Sequence, residues 1–145
     1  MNFSDLKLIE PIQIALNKLG YTTPTPIQEQ CIPHLLEGKD ILGCAQTGTG
    51  KTAAFALPII NNLVLTKVFL TPKCPITLIL TPTRELALQI YENFKLYGQN
   101  VNIKVTVAYG GVGINPQIKA LQDGTHVLIA TPGRLLDLIQ QNKLS

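Results

Sequence analysis

A chain of 145 residues, 46% apolar and only 14% charged, can bury one hydrophobic core and is too poor in charge to stay disordered. Twelve Lys and Arg against nine Asp and Glu leave a net charge of +3, which permits a polyanionic partner without arguing for one. Asn61 and Asn62 interrupt the apolar stretch from Ala53 to Leu65 and the MNFSDLKLIE start holds no signal segment, against a membrane span; Cys31, Cys44 and Cys74 lack metal-ligand or disulfide spacing and read as reduced thiols in or near the core.

Ser4 to Leu19 carries apolar residues at Leu8, Ile12, Ala15 and Leu19, a helical stripe closed by Gly20, with Pro11 against its first turns. Thr25 and Pro26 form an N-cap followed by proline at the first helical position, opening a helix to about Leu36. Asp40 to Cys44 reads as a short strand, and a glycine-rich turn leads into a helix from about Lys51 to Leu65, with Pro58 a candidate bend. Thr66 to Pro75, with two prolines, is a surface connection. Ile76 to Leu80 reads as a strand buried on both faces. A helix from Thr83 to about Tyr97, a strand from Lys104 to Ala108, a helix from Ile114 to Leu121 and a strand from His126 to Ala130 follow. Pro132 and Gly133 turn the chain into a last helix from Arg134 to Gln141. Strands alternating with helical crossovers predict an α/β fold: an open, mostly parallel sheet with helices on both faces. Ligand-binding residues then belong in the loops at the carboxyl ends of the strands.

One loop carries a specific chemistry. Ala45-Gln46-Thr47-Gly48-Thr49-Gly50-Lys51-Thr52 stands between a predicted strand and a predicted helix, the context of a P-loop. Gly48 and Gly50 let successive backbone N–H groups face phosphate oxygens, and the following helix adds unpaired donors and the positive end of its dipole. Lys51 would reach the β- and γ-phosphates of a nucleotide, and Thr52 would place its hydroxyl on Mg²⁺ held through ATP. The first position is Ala45 where glycine is usual. An ordinary glycine-rich loop with a solvent lysine is the competing reading. His34 and His126 have no partners at metal spacing and read as structural.

With Lys51 in place, the chain resembles the first RecA-like domain of DEAD-box ATP-dependent RNA helicases from Phe3 to Leu138. The resemblance rests on Phe3, on Gly20-Tyr21-Thr22-Thr23-Pro24-Thr25-Pro26-Ile27-Gln28, on the P-loop, on Pro82-Thr83-Arg84-Glu85-Leu86-Ala87, on Gly110-Gly111 and on Thr131-Pro132-Gly133-Arg134. It implies that Gln28 reads adenine, with Phe3 against the base and Tyr21 and Thr25 beside it. A carboxamide suits that task, offering one acceptor and two donors. The nucleotide side would be completed by Gln46, Thr47, Gly48, Thr49, Gly50, Lys51, Thr52 and Ala53, with Lys51 and Thr52 catalytic. Pro82, Thr83, Arg84, Gly110, Gly111, Thr131, Pro132, Gly133 and Arg134 would face RNA. Only two arginines occur in the chain, and both lie in these loops. Guanidinium groups, glycine-exposed amides and helix N-termini bind phosphate without reading sequence.

The resemblance further implies an RNA-stimulated ATPase using ATP and Mg²⁺, in which a second RecA-like domain closes on RNA and melts a short duplex or remodels an RNA–protein complex. Such an enzyme would be cytoplasmic, with no membrane partner. Residues 1–38 would form an N-terminal helical adenine-reading segment and residues 39–145 an incomplete first RecA-like ATP-binding domain. No Asp-Glu pair occurs after Lys51, so the metal-holding strand is expected to be absent and the fragment alone to lack turnover. The rivals are a DNA translocase of the same superfamily, an ATP-gated RNA clamp, and a small-molecule kinase.

Overall fold

The computed structural model describes residues 2–37, 49–67 and 69–144, those at 49 and 50 by backbone alone. The expected strand Asp40 to Cys44, the cradle residues Ala45, Gln46, Thr47 and Gly48, and the expected boundary after residue 38 lie outside the described residues. Contacts divide the chain into two compact units, Met1–Lys67 with Asn93–Asn102, and Val68–Glu92 with Ile103–Ser145.

The regular elements of the first unit, among the described residues, are helices. A 3₁₀ turn at Phe3–Asp5 precedes α1 (Glu10–Lys18), α2 (Pro26–Leu36) and α3 (Thr49–Thr66), and the unit includes the end of α4 (Arg84–Tyr97). The first helix therefore starts at Glu10, not Ser4. Pro11 explains the difference: it occupies the first turn of α1, where its missing N–H costs no helical bond. The buried stripe of α1 is Ile12, Ala15 and Leu16. Core residues from α3 include Ala53, Ala56, Leu57 and Ile60, all fully buried. The two asparagines that break the apolar run are structural ties. Asn61, 2% exposed, accepts the Ile9 N–H at 2.7 Å through Oδ1, and Asn62 donates Nδ2 to the Leu35 carbonyl near the end of α2 at 2.9 Å. Each side chain ties α3 to a backbone group at a helix end.

The second unit holds β1 (Thr77–Leu80), β2 (Val105–Ala108) and β3 (Val127–Ala130), with α5 (Asn115–Asp123) between β2 and β3 and α6 (Pro132–Gln140) after β3. The described strands form a parallel sheet in the order β1-β3-β2. This is the expected α/β architecture, a parallel sheet flanked by helices. Ala108, Leu128 and Ala130 line one sheet face and form a core cluster with Leu121 of α5 and Leu138 of α6.

Burial on both faces belongs to β3, whose four residues are all inaccessible, and not to β1, where Leu78 is 48% and Leu80 56% exposed. The cause is position. Among the described strands β3 has a neighbour on each side and β1 has one, and the apolar runs of the two are otherwise alike. A glycine at position 124 is required where the chain enters β3: φ is +92°, and an added Cβ would stand 2.9 Å from the Leu70 Cβ. Cys74 is exposed and Cys31 half-buried, so the expectation of core thiols fails at Cys74, which lies in the surface connection; Cys44 is outside the described residues.

Candidate functional site

In the helical unit, α3 begins at Thr49, two residues before its expected start, and this places Lys51 and Thr52 in its first turn. Both side chains are half-buried while Ala53 is fully buried, so the helix turns Ala53 inward and leaves a lysine and a hydroxyl near the end where its N–H groups lack helical partners. No acidic residue stands in that turn to oppose an anion.

Gln28 is positioned by a capping box. Thr25 Oγ1 accepts the Gln28 N–H at 3.4 Å, and Gln28 Oε1 accepts the Thr25 N–H at 2.9 Å. Pro26 occupies the first helical position as expected. The carboxamide is thereby fixed and only 3% exposed. Phe3 is also 3% exposed, with its ring 6.3 Å from that of Tyr21 and stacked on it. Its N–H donates to the Thr22 carbonyl at 3.0 Å, and Gln13 Nε2 donates to the Phe3 carbonyl at 2.8 Å. The residue thus covers a core edge and pins the Gly20–Thr25 segment. Tyr21 in turn packs against Tyr97, whose hydroxyl burial pushes well above its usual range, helped by the neighbouring Tyr21 hydroxyl.

In the sheet unit, three loops leave adjacent strands at one edge. Leu80, Ala130 and Ala108 are in register across β1, β3 and β2. The ladder runs one residue further, with the Thr81 N–H on the Ala130 carbonyl and the Thr131 N–H on the Ala108 carbonyl, both at 3.0 Å. Thr81 to Arg84, Tyr109 to Gly113 and Thr131 to Arg134 therefore start side by side, as Pro82, Arg84, Gly110, Gly111, Gly133 and Arg134 require if they share a ligand. Two of the loops run into helix starts. Thr83 Oγ1 accepts the Leu86 N–H at 3.3 Å and so caps α4, and Thr131 is the N-cap residue of α6. Pro132 and Gly133 belong to α6 itself, which starts two residues earlier than expected because proline is suited to a first helical position. Gly111 sits at φ +85° with open space around it, and Gly110, Gly111 and Gly133 are exposed.

Neither arginine is tied to the carboxylates nearest it in sequence. The Arg84 guanidinium lies 4.9 Å from the centre of the Tyr109 ring, a cation–π contact. Arg134 donates Nη2 to the Val112 carbonyl at 3.0 Å, while its Nε and Nη1 are buried without a partner. Both therefore hold the loop that contains the glycine pair. The sequence reading missed a third holder, Gln117 of α5, which donates Nε2 to the Tyr109 carbonyl at 3.2 Å. One signal was available: Gln117 is a polar residue within the apolar stripe Ile114, Ile118 and Leu121.

His126 is structural, as expected: its Nδ1 accepts the Lys104 N–H at 2.9 Å, and burial, then the Lys104 charge, lowers its pKa. Among the described residues no group of His, Cys, Asp and Glu could hold a metal ion, and no helix is long and apolar enough to cross a membrane.

Residues 25–145 match the DEAD/DEAH box helicase family. The chain belongs to that family. It is 48% identical over 145 residues to the ATP-dependent RNA helicase DeaD of Escherichia coli K12, a match covering 98% of this chain and 22% of the relative. It is 45% identical over 144 residues to the DEAD-box ATP-dependent RNA helicase CshA of Streptococcus pneumoniae serotype 4, covering 99% of this chain and 26% of the relative. A crystal structure described as a hypothetical ATP-dependent RNA helicase from Sulfolobus tokodaii is similar in fold, with a TM-score of 0.81 and 34% identity over 94% of this chain and 38% of that one. The chain spans about a quarter of the length of the curated relatives it matches. As a DEAD/DEAH box helicase chain it is the N-terminal RecA-like region, and its P-loop, Pro82–Ala87, Gly110–Gly111 and Thr131–Arg134 segments all fall within the matched residues.

Proposed function

We propose that this chain supplies the ATP-binding and part of the RNA-binding surface of an ATP-dependent RNA helicase. The observation that carries the reading is the alignment of three loops at one end of adjacent parallel strands. They combine two helix starts, a glycine pair and both arginines of the chain. That combination suits a run of phosphodiesters recognised through the backbone.

The nucleotide side rests on α3 and Gln28. Lys51 would meet the β- and γ-phosphates, with Gln46, Thr47, Gly48, Thr49 and Gly50 completing the cradle. Thr52 offers a hard hydroxyl oxygen suited to Mg²⁺, and the first turn of α3 carries no competing carboxylate. Bound Mg²⁺ supplies charge neutralisation between the phosphates. Gln28, fixed by its capping box, would read the adenine edge, with Phe3, Tyr21 and Thr25 holding that segment in place. In the full-length protein a second RecA-like domain would complete both sites, coupling hydrolysis to local duplex melting or RNA–protein remodelling.

The deciding experiment measures phosphate release by the full-length protein with saturating ATP and Mg²⁺, alone, with single-stranded RNA and with single-stranded DNA of the same sequence. Stimulation by RNA and not by DNA is expected, and Arg134→Ala should need more RNA for the same rate. Equal stimulation by DNA would transfer the reading to a DNA translocase, and unchanged RNA dependence in R134A would remove Arg134 from the interface.

A further inference from the structure

Among the described residues, two side chains of the sheet unit carry buried polar atoms without a hydrogen-bond partner, and both act on the same loop. Gln117, 7% exposed, uses Nε2 on the Tyr109 carbonyl and leaves Oε1 without a partner. Arg134 uses Nη2 on the Val112 carbonyl and leaves Nε and Nη1 without partners. The turn holding Gly110 and Gly111 is thus gripped at its start by an amide and at its end by a guanidinium. Ile114, Ile118 and Leu121 beside Gln117 share one core cluster with Leu135 and Leu138 beside Arg134. The unpaired atoms are chemically complementary: one carbonyl acceptor from α5 and two N–H donors from α6. Buried polar groups left unpaired are costly, and native structures hold few of them without a reason.

We propose that Gln117 is a positioning residue for RNA binding, acting through Arg134 and the glycine loop. When RNA engages the loop, Gln117 Oε1 accepts the Arg134 Nε–H, Val112 keeps Nη2, and Nη1 donates to a phosphate oxygen. Each guanidinium nitrogen then has one partner, and the amide keeps its hold on Tyr109. The reversed amide is disfavoured, because it would set Oε1 against the Tyr109 carbonyl oxygen. This inference rests on the reading of the three loops as an RNA-backbone interface.

The test uses the full-length protein and a single-stranded RNA oligonucleotide. The RNA concentration giving half-maximal ATPase stimulation and kcat at saturating RNA are compared for the wild type, Gln117→Leu, Gln117→Glu, Arg134→Ala and the double variant Gln117→Leu/Arg134→Ala. Gln117→Leu should raise the half-maximal RNA concentration by about tenfold, the scale of one lost hydrogen bond to a charged group, and change kcat little. The double variant should lose less than the product of the two single effects, since both substitutions break the Gln117–Arg134 linkage. Gln117→Glu keeps the acceptor for Arg134 but sets a carboxylate oxygen against the Tyr109 carbonyl in place of the donor, so it should need more RNA than the wild type. It also serves if Gln117→Leu fails to fold: its RNA requirement should then fall between those of the wild type and Arg134→Ala. Multiplicative effects in the double variant, or Gln117 variants that fold and need no more RNA than the wild type, would overturn the proposal. If Arg134→Ala also leaves RNA dependence unchanged, the RNA-interface reading fails with it; if only the Gln117 variants do so, that reading survives and this inference falls.

Discussion

His126 shows how a single ring can tie two strands and carry a pH dependence. Its Nδ1 accepts the Lys104 N–H, and burial first, then the Lys104 charge, lower its pKa below the ordinary value of 6.5. The unfolded chain therefore takes up the proton first as pH falls. The stability contributed by the neutral ring is complete above the unfolded value and is lost as pH falls through the lower folded value. Protonation would also set an N–H against the Lys104 N–H. Amide hydrogen exchange at Lys104 in the full-length protein should thus show less protection at pH 5 than at pH 7.5, after correction for intrinsic rates. His126→Asn, which can accept the same bond without titrating, should flatten that change. An identical pH response in the variant would remove His126 as its source.

At the scale of elements, much was legible because local chemistry decides it. Thr25-Pro26 marks the start of α2, and the described strands fall within one residue of the apolar runs that predicted them. The failures have physical causes. Phe3–Asp5 could not be told from the first turn of a helix, because the stripe through Leu8 continues on both sides of Pro11. The buried and edge strands share one composition, and only pairing separates them. Gln28 was legible by type, and its reciprocal bond with Thr25 gives the cap a measurable role. Thr25→Ala should cost about 1 kcal/mol of stability, as loss of a threonine cap usually does. It should also weaken adenine-nucleotide binding by the full-length protein by loosening Gln28, while Thr25→Ser preserves both. Chemical denaturation and nucleotide titration would check the pair; full stability in T25A would mean that the cap is dispensable. Gln117 was missed because a polar residue in an apolar stripe has no readable purpose until its carbonyl partner is known.

For the molecule as a whole, Lys51 and Arg134 belong to different compact units, and their substitutions should separate two ligands. Lys51→Ala puts the best helix former into the first turn of α3 and should leave the fold intact. In the full-length protein it should abolish ATP hydrolysis while leaving nucleotide-free RNA binding near the wild-type level. Arg134→Ala should do the reverse, weakening RNA binding and sparing nucleotide affinity. Phosphate release with ATP and fluorescence titration with each ligand alone check both variants, and wild-type hydrolysis by K51A would sink the P-loop assignment.

The register of the three strands is also a ruler. Neighbouring strands in a sheet stand about 4.8 Å apart, so loops leaving β1 and β2 on either side of β3 begin roughly 10 Å from each other. A lone phosphate is too small to touch the backbone of the first loop and of the third at once. A polymer laid across the strand ends meets all three in succession. On the proposed RNA-binding reading, the strand spacing would favour an extended polymer over a short anion, since only the longer ligand can lie along the backbone of all three loops.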